Sequence, residues 1–170
     1  VVAYATTTLH LPRDTMLVCI MIGSCIMTPA LIGFGWVSDH WGRRRPFMLG
    51  AALTGFWAFA FFPLIETGLP WAIGVAIAVE LVLISLMYGP QAALFAELFP
   101  VEVRCSGASL GYQLGSVVGG GFAPIIATAL FAEFGSSFSI SIYLFMMCAI
   151  SLACTAMLSV RSRARPAVGR

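Results

Sequence analysis

Gly35-Trp36-Val37-Ser38-Asp39-His40-Trp41-Gly42-Arg43-Arg44-Arg45 sets two glycines, one acid, one histidine and three arginines together in a chain of which only 9% of residues are charged. Apolar runs flank it, 15–37 before and 47–64 after. Each is close to the roughly 20 residues that a helix needs to cross a bilayer. A short charged connector between two such runs is a tight turn at a membrane surface, and the rest of the chain is oriented from it.

Outward from this turn the composition says the same. The 170 residues are 60% hydrophobic with a mean hydropathy of +0.97, whereas a soluble domain carries about 25% charged residues and under half apolar ones. So much apolar surface cannot be hidden in a core of its own, and lipid must be its solvent. The expectation is an all-α, polytopic membrane bundle forming a single transmembrane domain over 1–170. Its spans are expected at 15–37, 47–64, 71–96, 105–132 and 138–160. The stretch 1–9 is too short to cross and reads as the end of a helix begun upstream of Val1. No charged leader or cleavage site marks a signal peptide, and the chain reads as a piece of something longer.

The connectors 38–46, 65–70, 97–104 and 133–137 are brief, so each helix should pack antiparallel to the next. All nine cationic residues are arginine. Alternate connectors lie on alternate sides, so one side gathers Arg43, Arg44, Arg45, Arg104, Arg161, Arg163, Arg165 and Arg170. The other holds only Arg13. Positive charge resists translocation, which assigns the arginine-rich side, with the basic tail 161–170, to the cytoplasm. That tail suits contact with anionic lipid heads better than nucleic acid.

The chemistry of soluble enzymes is missing from the sequence. His10 and His40 are isolated, and there is neither an H-E-x-x-H pair nor a phosphate-binding loop with its lysine. No metal, cofactor or ATP motor is called for. Cys19, Cys25, Cys105, Cys148 and Cys154 match neither a metal pair nor a disulfide framework and read as small packing residues.

Three features remain. Gly107, Gly111, Gly115 and Gly119 recur every fourth residue along one face of the fourth span, a groove for close helix approach. It serves static packing or a sliding surface. Pro29, Pro90 and Pro124 each remove a backbone donor inside a span and are candidate hinges. Glu80 falls about 14 Å into the third span, where a carboxylate costs about 2.5 kcal/mol or more. Gln91 lies about 20° and Tyr88 about 80° from it on the helical wheel. That polar stripe should line a cavity and carry substrate or protons, unless Glu80 is simply a neutral acid bonded to a neighbouring helix. At the arginine-rich mouth, Asp39, Arg43, Glu97 and Arg104 either latch the bundle or are ordinary solvated charges of little energetic weight.

Gly35, Ser38, Asp39, Gly42, Arg43 and Arg44 together resemble the loop signature of the major facilitator superfamily. A second stretch, Tyr88 through Gln113 and on to Gly119-Gly120-Gly121-Phe122-Ala123-Pro124, is similar to its metabolite:proton symporter branch, which carries shikimate, 2-oxoglutarate, citrate and proline or betaine. Tyr4 to Leu9 fits the end of that family's seventh helix. The resemblance implies the C-terminal, six-helix half of a twelve-helix carrier. It further implies that Asp39, Arg43, Glu97 and Arg104 interlock to hold the cytoplasmic side shut, with Gly35, Gly42 and Arg44 part of the same loop motif, and that a small polar metabolite binds near the midplane between two rocking halves. His40 stands where the family usually has Arg or Lys, and an imidazole changes charge within the physiological pH range. The sequence thus supports a secondary active transporter, driven by protons and completed by an absent N-terminal half. A membrane-embedded scaffold gripping partner helices through its glycine ladder is the alternative; an intramembrane enzyme lacks the paired groups it would need.

Overall fold

The computed structural model describes residues 12–163, all of them helix or short connector. The expected helix remnant 1–9, His10 and the tail beyond Arg163 lie outside the described residues. The elements are α1 (Arg13–Trp41), α2 (Arg44–Glu66), α3 (Pro70–Ala96), a 3-10 turn (Val101–Val103), α4 (Arg104–Ser116), a π turn (Val117–Gly121), α5 (Phe122–Phe134) and α6 (Ser137–Arg163). Five helical stretches are long and apolar enough to cross a membrane, counting Val101–Phe134 as one.

Local chemistry sets the helix ends. α1 runs through Asp39 to Trp41 rather than stopping near 37, because no residue breaks it until Gly42 turns to φ +83°. That conformation is open to glycine and strained for any other residue. The expected nine-residue connector therefore shrinks to Gly42 and Arg43. Gly68 (φ +69°) closes α2, and the left-handed Gly135 (φ +61°) closes α5. Pro70 opens α3, at the one helical position where its missing amide costs nothing.

The expected unbroken helix over 105–132 is interrupted at its centre. Three glycines, Gly119 to Gly121, remove side-chain support. Pro124 then deprives the carbonyl four residues earlier, that of Gly120, of its amide partner. The π turn absorbs the mismatch.

Packing is a row, α1 beside α3, α3 beside α2 and α2 beside α6, with α4 leaning on α3 and α5 on α6. Cross-contacts fix the directions. Gly23 meets Ile77 and Leu81 while Gly35 meets Gly89, so α1 and α3 run parallel. Gly50 meets Met87 while Trp57 Nε1 donates to the Ala76 carbonyl at 3.4 Å, so α2 runs against α3. Ser137 Oγ donates to Glu66 Oε1 at 2.5 Å, Ser141 Oγ to the Ala58 carbonyl at 3.0 Å, and Gly55 abuts Cys148, so α6 runs against α2. Phe59 adds tilted ring contacts to Phe138 and Phe145 across that seam, and Phe56 meets Phe145 edge-on.

The tightest core joins Met16, Phe62, Ile65, Ile73, Ile77 and Ile140, drawn from the starts of α1, α3 and α6 and the end of α2. It therefore sits at one end of the bundle. Outward faces carry Ile22, Ile32 and Phe56, all more than half exposed, as a lipid-facing surface requires. Trp36 and Trp41 stand exposed at one end and Trp71 at the other, the places where tryptophan favours the membrane boundary. Several hydroxyls within the spans pair on their own helix: Ser24 donates to the Ile20 carbonyl, Thr28 to that of Ser24 and Thr128 to that of Pro124, as an apolar solvent demands. Thr54 Oγ1 is the exception, buried without a hydrogen-bond partner among the described residues.

Candidate functional site

At the end opposite the core, α1 and α3 touch backbone to backbone. A methyl group added at Gly89 would lie 3.0 Å from the Gly35 nitrogen and 3.3 Å from the Phe34 carbonyl carbon. A methyl at Gly35 would meet nothing. The glycine this contact demands is therefore Gly89, which the sequence reading passed over, and Gly35 is the surface it rests on. Pro90 follows it, fully buried, inside α3.

One turn further on, the charged connector closes over the end of α3. Arg43 Nε lies 3.2 Å from Glu97 Oε1, and Arg43 Nη2 lies 3.7 Å from Asp39 Oδ1. Arg43 is thus the pivot, joining the end of α1 to the end of α3, with its side chain 34% exposed and the two carboxylates more so. Arg104 does not join this cluster and makes no ion pair among the described residues. Ser38 is buried and donates to the Gly35 carbonyl at 2.7 Å. His40 turns back onto its own helix, with Nδ1 3.0 Å from the Trp36 carbonyl and its ring 4.4 Å from the indole.

Between α3 and α4 lies a groove of about 400 Å³ lined by Tyr88, Gln91, Ala92, Phe95, Ala108, Ser109, Tyr112 and Gln113. A second lobe of about 390 Å³ shares Tyr88, Gln91, Phe95 and Tyr112 and continues along Gly111, Gly115, Ser116 and Gly120. Tyr88 from α3 and Tyr112 from α4 both line the groove. Two phenols, two amides and two serine hydroxyls face a space walled by apolar carbon, and no lining residue carries a charge. Such a surface offers uncharged hydrogen-bond donors and acceptors in an apolar setting, the make-up common to small-molecule pockets.

Of the expected stripe, Tyr88 and Gln91 enter this groove and Glu80 does not. Glu80 is partly buried within α3 and lies within electrostatic reach of Cys148 on α6. Tyr112, Gln113, Ser109 and Ser116 were not singled out from the sequence. Their spacing of i, i+3, i+4 and i+7 marks one helix face, which the adjoining glycine ladder obscured.

The ladder itself divides. Gly107 makes room for the Phe99 ring, which would sit 2.5 Å from an added methyl. Added methyls at Gly111, Gly115, Gly119, Gly120 and Gly121 would meet nothing among the described residues. From Gly111 onward the ladder is therefore a bare face among the described residues, whereas Gly107 is packed. No group of three or more His, Cys, Asp or Glu among the described residues is placed to hold a metal.

Comparison with known proteins agrees with this architecture. The chain is 38% identical over 160 residues to the shikimate transporter of Escherichia coli K12, covering 91% of the chain and 36% of that protein. It is 36% identical to an inner membrane metabolite transport protein of the same organism, over 88% of the chain and 34% of the relative. A citrate-proton symporter of Salmonella typhi is 30% identical over 93% of the chain and 37% of its own length. The chain thus spans about a third of the length of these relatives. No solved structure matches it. The Major Facilitator Superfamily profile matches residues 1–170, and with five apolar spans, a bundle free of strands among the described residues and this likeness, the chain is an integral membrane protein that belongs to the major facilitator superfamily.

Proposed function

We propose that this chain is the C-terminal portion of a secondary active transporter for a small polar metabolite, working by proton symport and alternating access. The observation that supports it best is the uncharged polar groove between α3 and α4, which lies beside the bare glycine face. A groove open along one helix needs a second wall, and a missing six-helix half would both supply that wall and pack on Gly111, Gly115 and Gly119. Shikimate, citrate and betaine are the solutes to try first, since the relatives' names include them. The arginine-rich end is assigned to the cytoplasm of a bacterial inner membrane, with Arg43, Asp39 and Glu97 closing that side in one state and parting in the other.

Proton handling is assigned to Glu80. A carboxylate inside a membrane span is costly unless it pairs or takes up a proton, and no salt bridge holds it among the described residues. Reconstituted full-length carrier, given an imposed pH gradient, should accumulate one of the three labelled solutes. Glu80→Gln should remove the dependence on the gradient while leaving expression intact. Gradient-independent uptake, or an unaltered response in Glu80→Gln, would contradict the assignment.

The bare glycine face also fits a scaffold that grips partner helices. A scaffold would show no uptake of any solute under the same gradient.

A further inference from the structure

The three consecutive arginines of the connector have three different surroundings. Arg43 sits between Asp39 and Glu97, and Arg45 is exposed. Arg44, at the first turn of α2, lies at the mouth of a cleft of about 160 Å³ between α2, α3 and α6. The remaining wall is mostly apolar, with Phe47 from α2, Leu94 from the end of α3, Leu98 just after it, and Cys154 from α6. Thr155 also borders it, but its hydroxyl already donates to the Ser151 carbonyl at 2.8 Å. Among the described residues Arg44 is thus the cleft's one cation, and it makes no ion pair there.

Size, charge and depth select the occupant. The cleft is smaller than the ~300–1,000 Å³ of sites for drug-sized solutes, so it does not duplicate the α3–α4 groove. Its mouth is at the end marked by the exposed Trp36 and Trp41, the level at which lipid head groups meet hydrocarbon. A lone guanidinium above an apolar slot matches a phosphate joined to an acyl chain. The tail 164–170 is a poor alternative, since it carries two arginines, Arg165 and Arg170, and no acid.

We propose that this cleft binds an anionic phospholipid, with its phosphate on Arg44 and the upper methylenes of one chain against Phe47, Leu94 and Leu98. The proposal does not depend on the transport reading. Native mass spectrometry of the full-length protein in detergent tests it, with phosphatidylglycerol and phosphatidylcholine titrated separately. Phosphatidylglycerol should be retained in preference. Arg44→Gln should weaken it about fivefold, since a basic residue near an anionic surface is worth about 1 kcal/mol, whereas Arg45→Gln should not. A measurement on the unaltered protein guards against a folding defect: phosphatidylglycerol should slow alkylation of Cys154 and leave the exposed Cys105 on α4 unaffected. Equal retention of both lipids, equal loss in Arg44→Gln and Arg45→Gln, or equal protection of Cys154 by glycerol 3-phosphate would overturn the proposal. So would lipid retention that appears only after removal of 164–170, because the tail would then be the resident.

Discussion

Gly42 shows how one residue fixes the charged connector. Its φ of +83° with ψ of 138° is a conformation in which a side chain clashes with its own backbone, at a cost of about 1–3 kcal/mol. Gly42→Ala should therefore lower the stability of the detergent-solubilised protein by about that much and displace Arg43, read as an earlier thermal transition. Arg43 and Glu97 are a weaker case, because both side chains meet solvent and exposed pairs contribute about 0.2–1 kcal/mol. Under the proposed carrier reading, Arg43→Glu and Glu97→Arg should each alter uptake by shifting the balance between open and closed states at this end, and the double exchange should restore it. Strict additivity in thermal stability and in uptake would reduce the pair to a solvated contact. The sequence made the acids and arginines of this connector legible as candidates. It could not tell that Arg43 alone would gather both carboxylates, because partner choice depends on where α3 ends, and that is a tertiary fact.

At the scale of elements, the seam between α1 and α3 rests on an asymmetry within a glycine pair. Gly89→Ala would push a methyl to 3.0 Å from the Gly35 backbone, and overpacking of this kind costs about 1–3 kcal/mol. Gly35→Ala meets open space and replaces a poor helix former by a good one, so it should be neutral or raise stability by up to about 1 kcal/mol. Thermal unfolding of the two variants, side by side, checks the ordering; equal effects would mean the helices are not in backbone contact there. The spans were readable because lipid demands long apolar runs; the end of the first was not, since charge at Asp39 suggests a stop near 37 while the helix runs on until Gly42 turns it. The division of the expected fourth span was less legible. A run of glycines and a downstream proline warn of a break, but they do not say whether the chain bends, unwinds or adopts a π turn.

Across the described residues, the arrangement is a row of packed helices with one loosely held, glycine-lined stretch laid over it, from α3 to α6. The groove lies where that stretch meets the row, between α3 and α4. A helical wheel gave the angle of the polar stripe on α3 but not its height. Glu80 and Gln91 share a face, yet about 16 Å of helix separates them, so only Tyr88 and Gln91 reach Tyr112 and Gln113. Which helix would stand opposite them was not written in any local pattern. The proposed carrier reading makes this groove the water-accessible path of the solute. The direct measurement is labelling of single cysteines placed at Gln91, Gln113 and the lipid-facing Phe56 in a full-length carrier stripped of its native thiols, using a membrane-impermeant reagent. Positions 91 and 113 should react, and should be protected by whichever solute is taken up, while position 56 stays inert. Reactivity at 91 and 113 no greater than at 56, or reactivity indifferent to the solute, would contradict it.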